Sequence, residues 1–322
     1  MPTARTTAGL AVAAAIALPL LLPGTYHRHV LVLAGLFVLM ALGFDLVLGY
    51  LGELSLGHAA FFGIGAYTTA LLTRNFGVPF PLDLLLAALC TGVFGFLIGA
   101  PSLRLKGPYF AIVTFGFSEI LRLIVLNWTS VTRGPMGLPD IPHAHIGSFR
   151  IDSELRYYYL VLVLIGLAIL VTRRLLDSTV GHAFLAIREN EELASATGIP
   201  TFRYKLIAFV IGMIFTGAAG SVYARYVHFV DPTALSFYYT VTVVSMVIVG
   251  GQGSIVGTVL GALVFTLLPE YLRVAERARL VIFGAFLMVA IVFLPEGFRG
   301  LWRRARNPRA GHAGPRAGHA AA

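Results

Sequence analysis

Charge is scarce in this chain. Asp, Glu, Lys and Arg together make up 12% of 322 residues, and only two of the basic residues, Lys106 and Lys205, are lysines. A phosphate-binding P-loop closes on Gly-Lys-Ser/Thr, whereas these lysines precede Gly107 and Leu206, so the chain is no P-loop ATPase. Cysteine is almost absent too. A lone Cys90 excludes an internal disulfide framework and a cysteine metal cluster. No His-Glu-x-x-His string occurs, and no Ser, His and Asp stand in a context that supports nucleophilic catalysis. The chain therefore reads as a non-enzyme that binds no cofactor of its own.

What fills the space is apolar. Hydrophobic residues reach 57% besides 35 glycines, and mean hydropathy is +0.83, the composition of an integral membrane protein. Runs of about 17–25 apolar residues cross the hydrocarbon core as helices. Such runs lie near 8–22, 30–49, 55–73, 80–102, 109–127, 157–175, 205–227 and 280–296. The stretch 237–268 is too long for one crossing and is broken by Gly250-Gly251-Gln252-Gly253-Ser254. It reads as two short segments, and whether they cross twice or re-enter is left open. The expectation is an all-α, polytopic bundle of about ten spans, with 1–304 as the transmembrane domain. The first run follows Arg5 and resembles a signal peptide, but reads as an uncleaved helix. With the N-terminus inside, alternation puts 14 of the 24 basic residues in the cytoplasm, Lys205 among them, and Arg225 outside. That bias favours N-in and C-in. The net charge of +9 then faces anionic lipid rather than nucleic acid.

Gly49 to Tyr67 sets Gly49, Gly52, Gly57, Gly63 and Gly65 among Glu53, Ser55 and His58 at membrane depth. Broken, polar backbone is tolerated there only where it is buried in protein or lines a watery cavity. Gly52, Glu53, Ser55, Gly57 and His58 are accordingly candidates for a solute path, with helix packing as the plainer alternative. Glycine-released N–H groups could meet a carboxylate. The Gly250–Ser254 break echoes this segment, as interrupted helices do in transporters built from repeats. On the run 109–127, Thr114 and Ser118 share a face, and Glu119 and Arg122 stand three apart, able to neutralise each other. These four are path candidates as well. Asp45 and Asp83 fall near span ends and read as interfacial. Gly95 with Gly99, and Gly253, Gly257 and Gly261, recur every four residues and read as helix contacts.

Two loops are long. That at 128–156 faces outside by parity, and that at 176–204 faces the cytoplasm. In the second, Asn190 is a good N-cap, Glu191 and Glu192 suit a first helical turn, Gly198 fits the position after the last, and Pro200 prevents continuation. An amphipathic piece, Phe184 to Arg188, precedes it. The tail 305–322 is rich in Gly, Ala, Arg and His and reads as disordered.

Six strings carry a family resemblance: Gly-Tyr-Leu-Gly-Glu-Leu-Ser-Leu-Gly-His-Ala-Ala-Phe-Phe-Gly-Ile-Gly-Ala-Tyr at 49–67, Leu-Arg-Leu-Lys-Gly-Pro-Tyr-Phe-Ala-Ile-Val-Thr at 103–114, Gly-Pro-Met-Gly-Leu at 134–138, Ala-Ile-Arg-Glu-Asn-Glu at 186–191, Arg-Tyr-Lys-Leu at 203–206 and Leu-Pro-Glu-Gly at 294–297. With them the chain resembles, over about 30–300, the LivM-type permeases of branched-chain amino-acid ABC importers. It departs at Leu193-Ala194, where the family usually has paired alanines, and at Arg133-Gly134, where two small residues are common. The resemblance implies a permease subunit of an ATP-driven importer in the bacterial cytoplasmic (inner) membrane. Its partners would be a second, different permease subunit, two ATP-binding subunits that use ATP and Mg, and an external solute-binding protein. It also implies that 176–204 contacts the ATPase through Arg188, Glu189, Glu191, Glu192, Ala194 and Gly198. Urea, amide or aromatic-acid importers could share this permease type, and an ion-coupled secondary transporter is the rival of another class.

Overall fold

The computed structural model describes residues 13–20, 24–147 and 149–271, together with Gly284 and Met288. Residues 13–20 form a short helix, α1. Helix α2 (Thr25–Asp45) runs without interruption into a π-helical turn, Leu46–Tyr50. Three helices follow: α3 (His58–Phe76), α4 (Leu82–Ser102) and α5 (Pro108–Asn127). Short α6 (Thr129–Thr132) leads to a hairpin of β1 (Ala144–Ile146) and β2 (Phe149–Ile151), with Ala144 opposite Ile151. Then come α7 (Glu154–Leu176), α8 (Thr179–Glu189), α9 (Glu191–Ala196), α10 (Thr201–Val227), α11 (Phe237–Gly250) and α12 (Ile255–Tyr271).

Local chemistry explains most boundaries. Ser153, Ser178 and Asn190 cap α7, α8 and α9, each side chain accepting a hydrogen bond from a backbone N–H of the first turn. Pro108 opens α5, where its missing N–H costs nothing. Gly77, at φ +62°, ends α3 in the left-handed conformation.

Among the described residues, five helices are long and apolar enough to cross a membrane: α2 with its π turn, α4, α5, α7 and α10. Burial ranks them. In its most apolar stretch α2 is 83% buried and α10 61%, against 17% for α7, so α2 and α10 form the centre and the others wrap it. Exposed leucines and phenylalanines cover the outer faces of α4 and α5, as lipid contact requires. The central helices approach through small residues, which let backbones come close where apolar side chains gain little over lipid. Side chains at Gly43 and Gly212 would each collide with the other's backbone, joining α2 to α10, and Gly65 meets Gly217 between α3 and α10.

The expected run 237–268 is indeed two helices, separated at 251–254. α11, of 14 residues, is about 21 Å long and shorter than the hydrocarbon core. Gly95 and Gly99 pack against α10, and Gly257 and Gly261 against α11, as the four-residue spacing suggested. Gly253 instead sits in the break at φ +70°. Asp45 and Asp83 lie at helix ends, as the sequence suggests, but are buried in protein, at 1% and 0% exposure, because each is enclosed by a partner from a distant segment. The loop 128–156 carries regular structure of its own. Gly147 in the left-handed region turns the hairpin, the one sheet among the described residues of an otherwise helical fold. The expected span 280–296, apart from Gly284 and Met288, and the tail 305–322 lie outside the described residues.

Candidate functional site

Two broken segments distant in sequence meet at one end of the bundle. The first begins where α2 loosens into the π turn and continues as 51–57, with Gly52 at φ +85°. Freed backbone donors in this stretch find partners nearby. Glu53 donates its N–H to the carbonyl of Val47 (3.0 Å), Leu56 to Thr114 Oγ1 (3.0 Å), and Ala59 to Thr240 Oγ1 (3.0 Å). The second break is 251–254, between α11 and α12. Gly253 N–H donates to Asp45 Oδ1 at 2.8 Å, which fastens the second break to the first. No side chain fits at Gly49, since a Cβ there would strike both the Asp45 carboxylate and the Gly253 backbone.

The α8–α9 loop seats on the same place. Phe184, Ile187 and Ala194 are buried in a cluster with Leu46, Tyr50, Leu51 and Ala208, so the apolar face of the loop covers the π turn. Arg188 donates from Nη1 to the carbonyl of Gly49. Lys205, in the first turns of α10 and only 1% exposed, donates from Nζ to Glu53 Oε1 (2.5 Å) and to Glu191 Oε2 (2.6 Å). One buried ammonium thus joins the broken segment, the loop and α10. Charge-assisted hydrogen bonds of this kind are about twice as strong as neutral ones.

The other face of the loop is open. Glu189, Glu192, Leu193 and Gly198 are exposed, with Leu193 at 64% and the Glu192 side chain at 83%. Lys106 pairs with Glu192 at 3.1 Å, and that hydrogen bond and charge raise the lysine above its ordinary pKa. Both partners are solvated, so this pair contributes little to stability.

The sequence-derived candidates therefore divide. Arg188, Glu191, Gly52 and Glu53 come together in the cluster, where Gly52 lies against Arg188. Ser55 and His58 are buried, His58 edge-on to Phe44, and Gly57 lies against the Thr114 carbonyl. Thr114 both back-bonds its own helix and caps Leu56, and Ser118 follows it one turn on, also buried. Glu119 and Arg122 pair with each other through contacts as short as 2.5 Å, apart from the cluster and partly exposed. Sequence reasoning missed Lys205 and Asp45. The signal for Lys205 was present, a lysine in the opening turns of an apolar span, but it counted only as a loop charge.

Away from this cluster, a cavity of about 240 Å³ lies between α2, α3, α10 and α11. Leu36, Phe37, Phe62, Tyr223 and Tyr239 line it, with His29 held by the Tyr226 hydroxyl at 2.7 Å. Tyr239 stacks on both Phe37 and Phe62.

Known proteins match this chain along most of its length. The family model described as the permease component of the branched-chain amino acid transport system matches residues 27–292. The high-affinity branched-chain amino acid transport system permease protein LivM of Salmonella typhimurium is 33% identical over 301 residues, covering 86% of this chain and 71% of that protein. LivM of Escherichia coli K12 is 33% identical over 291 residues, covering 83% and 68%. The high-affinity branched-chain amino acid transport system permease protein LivH of Escherichia coli K12 is 24% identical over 290 residues, covering 83% of this chain and 92% of that protein. No solved structure matches the chain significantly. The chain belongs to the family of permease components of branched-chain amino acid transport systems.

Proposed function

We propose that this chain is a translocation subunit of an ATP-driven importer for branched-chain or related small amino acids, working by alternating access. The observation that carries this reading is the bridge at Lys205, which ties the loop with an open outer face to the broken segment that follows α2. A partner pressing on α8 and α9 would move Glu53 and the π turn with them. The chain would sit N-in and C-in in the bacterial cytoplasmic membrane with about ten spans, binding no cofactor itself. The resemblance to both LivM and LivH supports pairing with a second, different permease subunit. One of the two ATP-binding subunits would dock on the α8–α9 loop, and an external solute-binding protein on the hairpin face. The aromatic cavity between α2 and α11 has a lining that suits an aliphatic side chain.

Docking is tested on the exposed face, where substitution leaves the buried bridge intact. Glu192→Lys combined with Leu193→Asp is expected to leave membrane insertion unchanged, remove the ATPase from the complex purified from native membranes, and stop uptake. Retained ATPase and unchanged uptake would contradict the proposed docking site.

A further inference from the structure

We propose that α10 is a rigid strut linking the external face to the ATPase-contacting loop, with Arg225 and Lys205 as positioning residues at its two ends. The proposal rests on the function proposed above and adds the route by which the two faces communicate. Arg225 stands twenty residues beyond Lys205 on one uninterrupted helix, about 30 Å away, the thickness of the hydrocarbon core. Both side chains are 1% exposed. Buried cations are costly unless paired and hydrogen-bonded, and each of these two is paired with segments other than its own helix.

At the far end, Arg225 Nε donates to Asp83 Oδ2 at 2.5 Å. Its remaining donors reach the carbonyls of Val78 (3.0 Å), Pro142 (3.2 Å) and His143 (3.1 Å), and its guanidinium lies over the Phe80 ring. The planar fork serves several acceptors in a way an ammonium cannot. Tyr157 reinforces the junction, donating to the Arg225 carbonyl at 2.9 Å and accepting from Ala144 of the hairpin at 3.1 Å. Leu138 and Val230 exchange two backbone hydrogen bonds, at 2.7 and 3.1 Å, and Ile141 N–H donates to the His228 carbonyl. The loop that carries the hairpin is therefore fastened to the end of α10 at successive points, as the coupling loop is fastened at its start. Between the two, Gly212, Gly217 and Gly220 bring α10 into backbone contact with α2 and α3, so displacing the strut displaces the centre of the bundle.

The test uses the whole complex in liposomes and reads ATP hydrolysis with and without the solute-loaded binding protein. Arg225→Lys keeps the charge opposite Asp83 but loses the fork. Asp83→Asn keeps shape but loses the charge. Basal hydrolysis per assembled complex is expected within about twofold of the parent, and stimulation by the binding protein is expected to fall about tenfold, the size of an ordinary allosteric coupling. A merely structural role would lower the yield of complex and leave the stimulation ratio unchanged, and that result would overturn the proposal.

A second variant makes no demand on the ion pair. Leu138→Cys with Val230→Cys places two thiols on a hydrogen-bonded antiparallel pair, whose Cα separation of about 5.5 Å suits a disulfide. If loop and strut move as one body, oxidation leaves stimulated hydrolysis unchanged. Loss of stimulation on oxidation, restored by reduction, would show that the loop must part from α10 and would refute the strut. Should the parent complex show no ATP-driven uptake at all, the function proposed above fails, an outcome distinct from either of these.

Discussion

Lys205→Met is expected to abolish uptake and to produce the largest loss of stability of any single substitution at the loop. Methionine is unbranched like lysine and one atom shorter but offers no donors, so Glu53 and Glu191 would face each other across a buried site with no cation between them. Breaking a buried pair by removing one partner costs about 3–5 kcal/mol, because the remaining charge is left unpaired. Here two carboxylates are left, from different elements, and their repulsion parts the coupling loop from the broken segment. The measurement is thermal unfolding of the purified complex beside solute uptake in liposomes. A control separates a buried cation from an exposed one. Lys106→Met breaks the solvent-exposed pair with Glu192 and is expected to leave thermal stability near the parent value. Equal effects of the two substitutions on stability would remove Lys205 from its proposed role.

Gly49→Val is expected to have an effect of similar size by another route. Its side chain would enter the space held by the Asp45 carboxylate and the Gly253 backbone. Relief requires the two breaks to separate, which costs the hydrogen bond from Gly253 to Asp45 and displaces the carbonyl that Arg188 holds. Hydrogen bonds to charged groups contribute about 1.5–3 kcal/mol each, so losing both amounts to roughly a hundredfold or more in the population of the assembled state. Uptake and thermal stability are expected to fall together. At Gly166 a Cβ would meet nothing within 4 Å, so Gly166→Ala serves as the neutral comparison. A Gly49→Val protein with parental uptake would show that the junction of the two breaks is dispensable.

Much of the local structure is legible in the sequence because its causes are local. Asn190, Glu191 and Gly198 define α9 by capping chemistry, and the structure has that helix with Asn190 Oδ1 accepting from Leu193 N–H. The glycine spacing of α4 foretells its contact with α10 in the same way. Long-range pairing is another matter. Glu53 and Lys205 are 152 residues apart, and Asp45 and Gly253 are 208 apart. Spans apolar on every side do not reveal which face meets protein and which meets lipid, since both surroundings are apolar. The places of Asp45 and Asp83 at span ends are legible, but their enclosure by Gly253 and Arg225 is not, and Lys205 and Arg225 read only as charges on one side of the membrane or the other. The resemblance of the two glycine breaks to each other was visible, but their meeting in space was not.

Uptake by the purified complex in sealed liposomes, with ATP supplied on the side of the α8–α9 loop and no ion gradient, tests the central claim most directly. Accumulation of a branched-chain amino acid above its external concentration, lost in Lys205→Met, is the result expected. Uptake that ignores ATP and follows an imposed ion gradient would contradict it.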